Sequence, residues 1–131
     1  MTKHQLVYST HEYGPEAFAQ PWFNESNMAA TLNQRWQAGF GYIHDRGIAP
    51  ALVGEFGAQQ VSTDTVKGCW FTQFTDYLAQ TDISWTFWAW NPNSGDTGGI
   101  LQDDLLTINQ AKMNELTDLV RSQKATTTRR H

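Results

Sequence analysis

Apolar and polar positions recur along this chain with two different periods. Residues Gln5–Ser9 run on into Thr10-His11-Glu12-Tyr13 and stop at Gly14-Pro15, which predicts a first strand. On such a strand His11 and Tyr13 share one face and Glu12 takes the other. From about Asn27 the period lengthens. Met28, Leu32, Trp36 and Phe40 recur at every fourth position, with Tyr42 and Ile43 widening the stripe. This spacing predicts a helix, with Gly47 placed to end it in a left-handed cap. Ala51–Val53 then reads as a short buried strand. It meets Gly54 and delivers a carboxylate, Glu55, just before Gly57. A polar loop, residues 58–64, offers Ser62, Thr63 or Asp64 as the cap of a second helix. That helix carries the stripe Val66, Trp70, Phe74, Tyr77 and Leu78. Ile83–Trp90 predicts a third strand, with Trp85, Phe87 and Ala89 on one face and Thr86, Trp88 and Trp90 on the other. Turn formers fill Asn91–Gly99. A last helix spans about Asn109 to Arg121, its apolar side made by Met113, Leu116, Leu119 and Val120.

Strands and helices thus alternate three times. Such alternation points to an α/β fold with parallel strands joined by helical crossovers. A three-stranded parallel sheet covers itself poorly, whereas an eight-fold β/α barrel takes about 250 residues. The chain has 131 residues. It is therefore read as a piece of a (β/α)8 TIM barrel beginning at an internal strand, with residues 1–124 in the barrel. The basic run Lys124–His131 reads as a frayed tail or the start of a linker, so residues 125–131 fall outside.

Composition narrows the function classes. The net charge is −4, without a large basic block, which argues against nucleic acid. No apolar run approaches the length of a bilayer span, and the N-terminus lacks the apolar core of a secretory signal. The single cysteine, Cys69, excludes an internal disulfide and reads as a small packed thiol. His4, His44 and His131 have no partners at metal-ligand spacing and read as surface groups, so no metal is expected. Six tryptophans are many for this length, and their flat faces suit sugar rings as well as cores.

Parallel strands end at one rim. There the first strand would bring His11 and Tyr13, the second Glu55, and the third Trp88 and Trp90. A carboxylate nucleophile needs donors that keep it ionised and aimed, which a phenol and an imidazole can supply. Each residue also has a plainer reading. Glu55 can solvate a loop, His11 can cap one, Tyr13 can fill a core gap, and Trp88 can be core rather than sugar platform. Asp96 either binds a sugar hydroxyl or shapes its turn. Trp85 and Phe87 are assigned to packing against helices, and Glu12 to a structural role.

Three segments carry a family resemblance: Leu-Val-Tyr-Ser-Thr-His-Glu-Tyr at 6–13, Gly-Glu-Phe-Gly at 54–57, and Trp-Thr-Phe-Trp-Ala-Trp-Asn-Pro-Asn-Ser-Gly-Asp-Thr-Gly-Gly at 85–99. From about Leu6 to Leu119 the chain resembles the C-terminal part of glycoside hydrolase family 5, the bacterial endo-β-1,4-glucanase (cellulase) branch. The resemblance implies that the chain supplies strands six to eight of the barrel. It implies Glu55 as the nucleophile of a retaining mechanism, His11 and Tyr13 as the groups flanking it, and Trp88 as the tryptophan stacked on the sugar. It further implies a β-1,4-glucan substrate, no organic or metal cofactor, and a secreted parent protein.

One departure is large. Retaining hydrolysis uses two carboxyl groups about 5–5.5 Å apart. In the family the second follows an asparagine in an Asn-Glu-Pro motif, and this chain contains none. Asn24-Glu25 lies in a loop and lacks the proline, and Asn114-Glu115 lies in a helix. The chain by itself is therefore expected not to hydrolyse glucan. An open sheet edge is also expected to promote self-association.

Overall fold

The computed structural model describes residues 5–24 and 26–129. Three strands form one parallel sheet in the order β1-β2-β3: β1 is Tyr8–Tyr13, β2 Ala51–Gly57 and β3 Ser84–Trp85. Each crossover is helical, as the alternation predicts. Between β1 and β2 lie a 3-10 turn (Pro21–Asn24) and α1 (Met28–Trp36), which passes through a π-helical turn, Gln37–Gly41, into α2 (Tyr42–Asp45). α3 (Val66–Thr81) joins β2 to β3, and α4 (Gln110–Arg129) follows the last loop.

The caps follow from local chemistry. Gly47 adopts φ +61°, its N–H reaching the His44 carbonyl while the Ile48 N–H reaches Ile43. Those two bonds close the helix end in the left-handed cap that a glycine permits. The α3 cap is Thr65, one residue beyond the three expected. Its backbone is extended and its hydroxyl accepts from the Gly68 N–H at 3.1 Å. Ser62 is used earlier, accepting from the Asp64 N–H within the preceding turn. α4 runs past Arg121 into residues 125–129, which the sequence reading leaves to a tail. No glycine or proline between Gln110 and Arg129 stops it.

The core lies between the sheet and the helices. Phe56 is fully buried at its centre, edge-on to Phe74, Trp85 and Phe87 and stacked near Phe71. Trp36, Trp70 and Tyr77 surround Phe74. Burying one such ring contributes about 1.5–3 kcal/mol, and each aromatic pair adds about 0.5–1.5 kcal/mol. The stripes of α1 and α3 thus face where their spacing places them. Trp85 and Phe87 pack toward the helices, as assigned.

Two strands differ from expectation. β2 does not stop at Gly54 but continues to Gly57, so Glu55 sits within the ladder rather than at its end. β3 pairs regularly over only two residues, although the Thr86 and Trp88 N–H groups still bond the Val53 and Phe56 carbonyls. The regular pairing of β3 ends just before Gly54, an extra residue that puts β2 out of step with its neighbours. On the far side of β1 no strand pairs among the described residues, and Leu6, Val7 and Tyr8 are exposed there.

Candidate active site

Parallel pairing sets His11 opposite Glu55 and Tyr13 opposite Gly57. Their side chains meet at one atom. The Tyr13 hydroxyl donates to Glu55 Oε2 at 2.8 Å, and His11 Nδ1 lies 3.3 Å from the same oxygen. The Glu55 side chain is 32 % exposed and that of His11 53 %, so the group opens to solvent. Burial, the Glu55 hydrogen bond, and the charges of Glu55 and Asp96 hold the Tyr13 phenol well above its ordinary range. Tyr13 therefore stays a donor through neutral and mildly alkaline pH, which is what an ionised partner requires.

Glu12 faces the other way. Thr10 Oγ1 donates to it at 3.0 Å, and burial raises its carboxyl above the usual range against the pull of Thr10, Trp36 and Arg35. Glu115, of the Asn114-Glu115 pair, lies inside α4 and accepts from the Thr75 hydroxyl on α3. Glu25, His4 and His131 lie outside the described residues. Among the described residues no group of three or more His, Cys, Asp or Glu side chains could hold a metal ion. Cys69 packs with its thiol donating to the Thr63 carbonyl.

The segment that follows β3 brings Trp88 and Trp90 up beside β2. Gly57 makes the approach possible, because a Cβ there would lie 2.0 Å from the Trp88 carbonyl oxygen. Trp88 is 45 % exposed and Trp90 59 %, on the face opposite Trp85 and Phe87. The peptide between Trp88 and Ala89 is cis. The chain then returns alongside itself: Ile100 and Leu101 donate to the Ala89 and Trp90 carbonyls. Trp88 is thus set next to β2, while Trp90 lies toward the loop.

One residue of this rim escaped the sequence reading. Lys112 is buried at 2 % exposure, and its Nζ donates to the Thr97 carbonyl at 2.7 Å and the Gly99 carbonyl at 3.1 Å. It ties α4 to the loop that carries Asp96. Burial lowers its ammonium below the usual lysine value, and the charge of Glu16 opposes that shift. Both Glu16 carboxylate oxygens are buried without a hydrogen-bond partner among the described residues. A signal existed in the sequence: Lys112, Leu116 and Leu119 are spaced four and three apart, on one helical stripe.

The pattern of the family Cellulase (glycosyl hydrolase family 5) matches residues 2–94. The chain is 48 % identical over 109 residues to Endoglucanase G of Acetivibrio thermocellus, covering 82 % of this chain and 19 % of that protein. It is 40 % identical over 116 residues to the major extracellular endoglucanase of Xanthomonas campestris pv. campestris, covering 88 % and 24 %. A cellotetraose complex of the endocellulase from Pyrococcus horikoshii superposes with a TM-score of 0.82 at 36 % identity, covering 88 % of this chain and 32 % of that one. The chain spans about a fifth to a third of these relatives, and its three β/α units match about a third of the barrel structure. Sequence and fold agree, and the chain belongs to glycosyl hydrolase family 5, the cellulases.

Proposed function

We propose that this chain is the nucleophile-bearing part of a retaining endo-1,4-β-glucanase. The observation that carries the reading is the convergence of the Tyr13 hydroxyl and the His11 imidazole on Glu55 Oε2. The two contacts fix the carboxylate and leave Oε1 to attack an anomeric carbon. Attack forms a glycosyl–Glu55 ester as the aglycone oxygen departs with the bonding pair, and water later releases the sugar with retention. Trp88 offers its exposed face to a pyranose ring, with Trp90 and Asp96 extending the sugar contacts along the loop.

The chain alone does not turn over carboxymethylcellulose, because an alkoxide leaving group needs an acid that neither Asn24-Glu25 nor Asn114-Glu115 supplies. An activated leaving group removes that need. The test is incubation with 2,4-dinitrophenyl 2-deoxy-2-fluoro-β-cellobioside followed by intact mass and peptide mapping. One glycosyl group on Glu55, absent from Glu55→Gln, is the expected result. Modification elsewhere, or none, would sink the assignment.

A second reading, favoured by the exposed faces of Trp88 and Trp90, is glucan binding without hydrolysis. It calls for saturable quenching of tryptophan fluorescence by cellohexaose that Trp88→Ala removes. Self-association through the outer edge of β1 is proposed under either reading, and a monomeric elution volume would overturn it.

A further inference from the structure

We propose that Gly54 is a positioning residue: the extra residue it adds to β2 turns Glu55 onto the open, polar face of the sheet beside His11 and Tyr13. This rests on the reading of Glu55 as nucleophile.

The pairing shows the insertion from both sides. Thr10 pairs with Val53, but the next residue, His11, pairs with Glu55, and Gly54 is skipped. On the other flank, Thr86 bonds Val53 and Trp88 bonds Phe56, so two steps along β3 again span three along β2. This is a β-bulge, which re-aims the side chains that follow it. The burial pattern records the effect. Val53 and Phe56 are both fully buried in the core, although strict alternation would put them on opposite faces. Strict alternation would also send Glu55 to the side of Val53, into that apolar core. With Gly54 inserted, Glu55 meets His11 and Tyr13, and Phe56 returns to the helices.

The position is crowded. A Cβ on Gly54 would lie 2.4 Å from Ser9 Oγ and 3.3 Å from His11 Nε2. A methyl group there would collide first with the Ser9 hydroxyl and, more lightly, with the imidazole that touches Glu55. From the β3 side the Thr86 hydroxyl donates to the Gly54 carbonyl and holds the inserted residue in place. The bulge thus does two jobs with one residue: it changes the phase of β2 and leaves room for His11 against the acid.

The test compares wild type, Gly54→Ala, Ser9→Ala and the double variant Ser9→Ala/Gly54→Ala in the full chain. Two readouts are taken: the rate at which the fluorinated cellobioside labels Glu55, and the His11–Glu55 distance in crystal structures. Gly54→Ala is expected to slow labelling about 10²-fold, the effect of an ångström-scale misplacement, and to part His11 from Glu55 without changing the far-UV spectrum. Ser9→Ala alone labels as wild type does. The double variant, with the Ser9 hydroxyl gone, recovers most of the rate and the contact, which a general loss of stability would not produce. Labelling of Gly54→Ala at the wild-type rate would overturn the proposal, as would an intact His11–Glu55 contact in its structure. If Gly54→Ala fails to fold, a folded double variant that keeps the contact supports the proposal and one that lacks it overturns it. If wild type is not labelled, the nucleophile reading fails by itself, and the crystal distances alone decide whether Gly54 sets Glu55.

Discussion

The two faces of the one sheet are built on different principles. The helix-facing side is dry and aromatic, with Val53 and Phe56 at 0 % exposure and Trp85 and Phe87 packed against Phe56. The opposite side carries His11, Tyr13, Glu55 and Trp88, and it is open, polar and held by a few directed contacts. Apolar burial is non-directional and tolerates small shifts, so it can support the whole sheet. A hydrogen bond to a carboxylate works only within a narrow distance and angle, so the polar face depends on backbone register. Stability and candidate chemistry are thus separated by the thickness of one strand.

The sharpest way to break this contrast is Phe56→Ala. It removes the ring at the centre of the dry face and is expected to cost about 3–5 kcal/mol, read by denaturant midpoint. A loss below about 1 kcal/mol would mean that the helix-side aromatics do not support the sheet.

Lys112→Met tests the loop beside the polar face. It keeps the apolar stem but deprives the Thr97 and Gly99 carbonyls of their donor. The expected loss is about 1–3 kcal/mol, with faster amide exchange in residues 94–99. Unchanged exchange there would show that the tether is dispensable.

Alkaline pH probes the helix layer. The Tyr77 phenol is pushed up to about 12, first by burial and then by the charges of Asp45 and Glu12. In the unfolded chain it ionises near its ordinary value of 10, so above that pH the unfolded state binds fewer protons than the folded one. Stability from this group is therefore complete below pH 10 and lost between pH 10 and 12, by at most about 3 kcal/mol. Tyr77→Phe should flatten that part of the pH–stability curve, and an unaltered slope would refute the assignment.

Tyr13→Phe is the smallest change in stability and the most selective. The pair is partly exposed, so the loss is expected to stay below about 1 kcal/mol, while the labelling of Glu55 slows. A stability loss as large as that of Phe56→Ala would erase the division between the two faces.

Periodicity alone reveals much of this division. Leu32, Trp36 and Phe40 on one helical run, and Trp70, Phe74 and Leu78 on the next, lie in the core where their spacing places them. The alternation of Trp85 and Phe87 against Thr86, Trp88 and Trp90 likewise separates inner from outer positions. These readings succeed because burial acts residue by residue on a repeating geometry.

Lys112 and Thr65 escape periodicity for a different reason. Two loop carbonyls distant in sequence give the Lys112 ammonium buried partners, which its own segment does not encode. Thr65 caps α3 because Ser62 is already engaged in the turn before it, a competition that spacing does not reveal.

The sequence by itself determined the order of strands and helices, the parallel class, the apolar stripes and the kinds of side chain that reach the rim. Only the tertiary structure decided that Glu55 stands inside β2, turned toward Tyr13 by the extra Gly54, with Lys112 buried beneath the loop. The reason is physical: a stripe is a property of one segment, whereas a register shift exists only once two strands are paired.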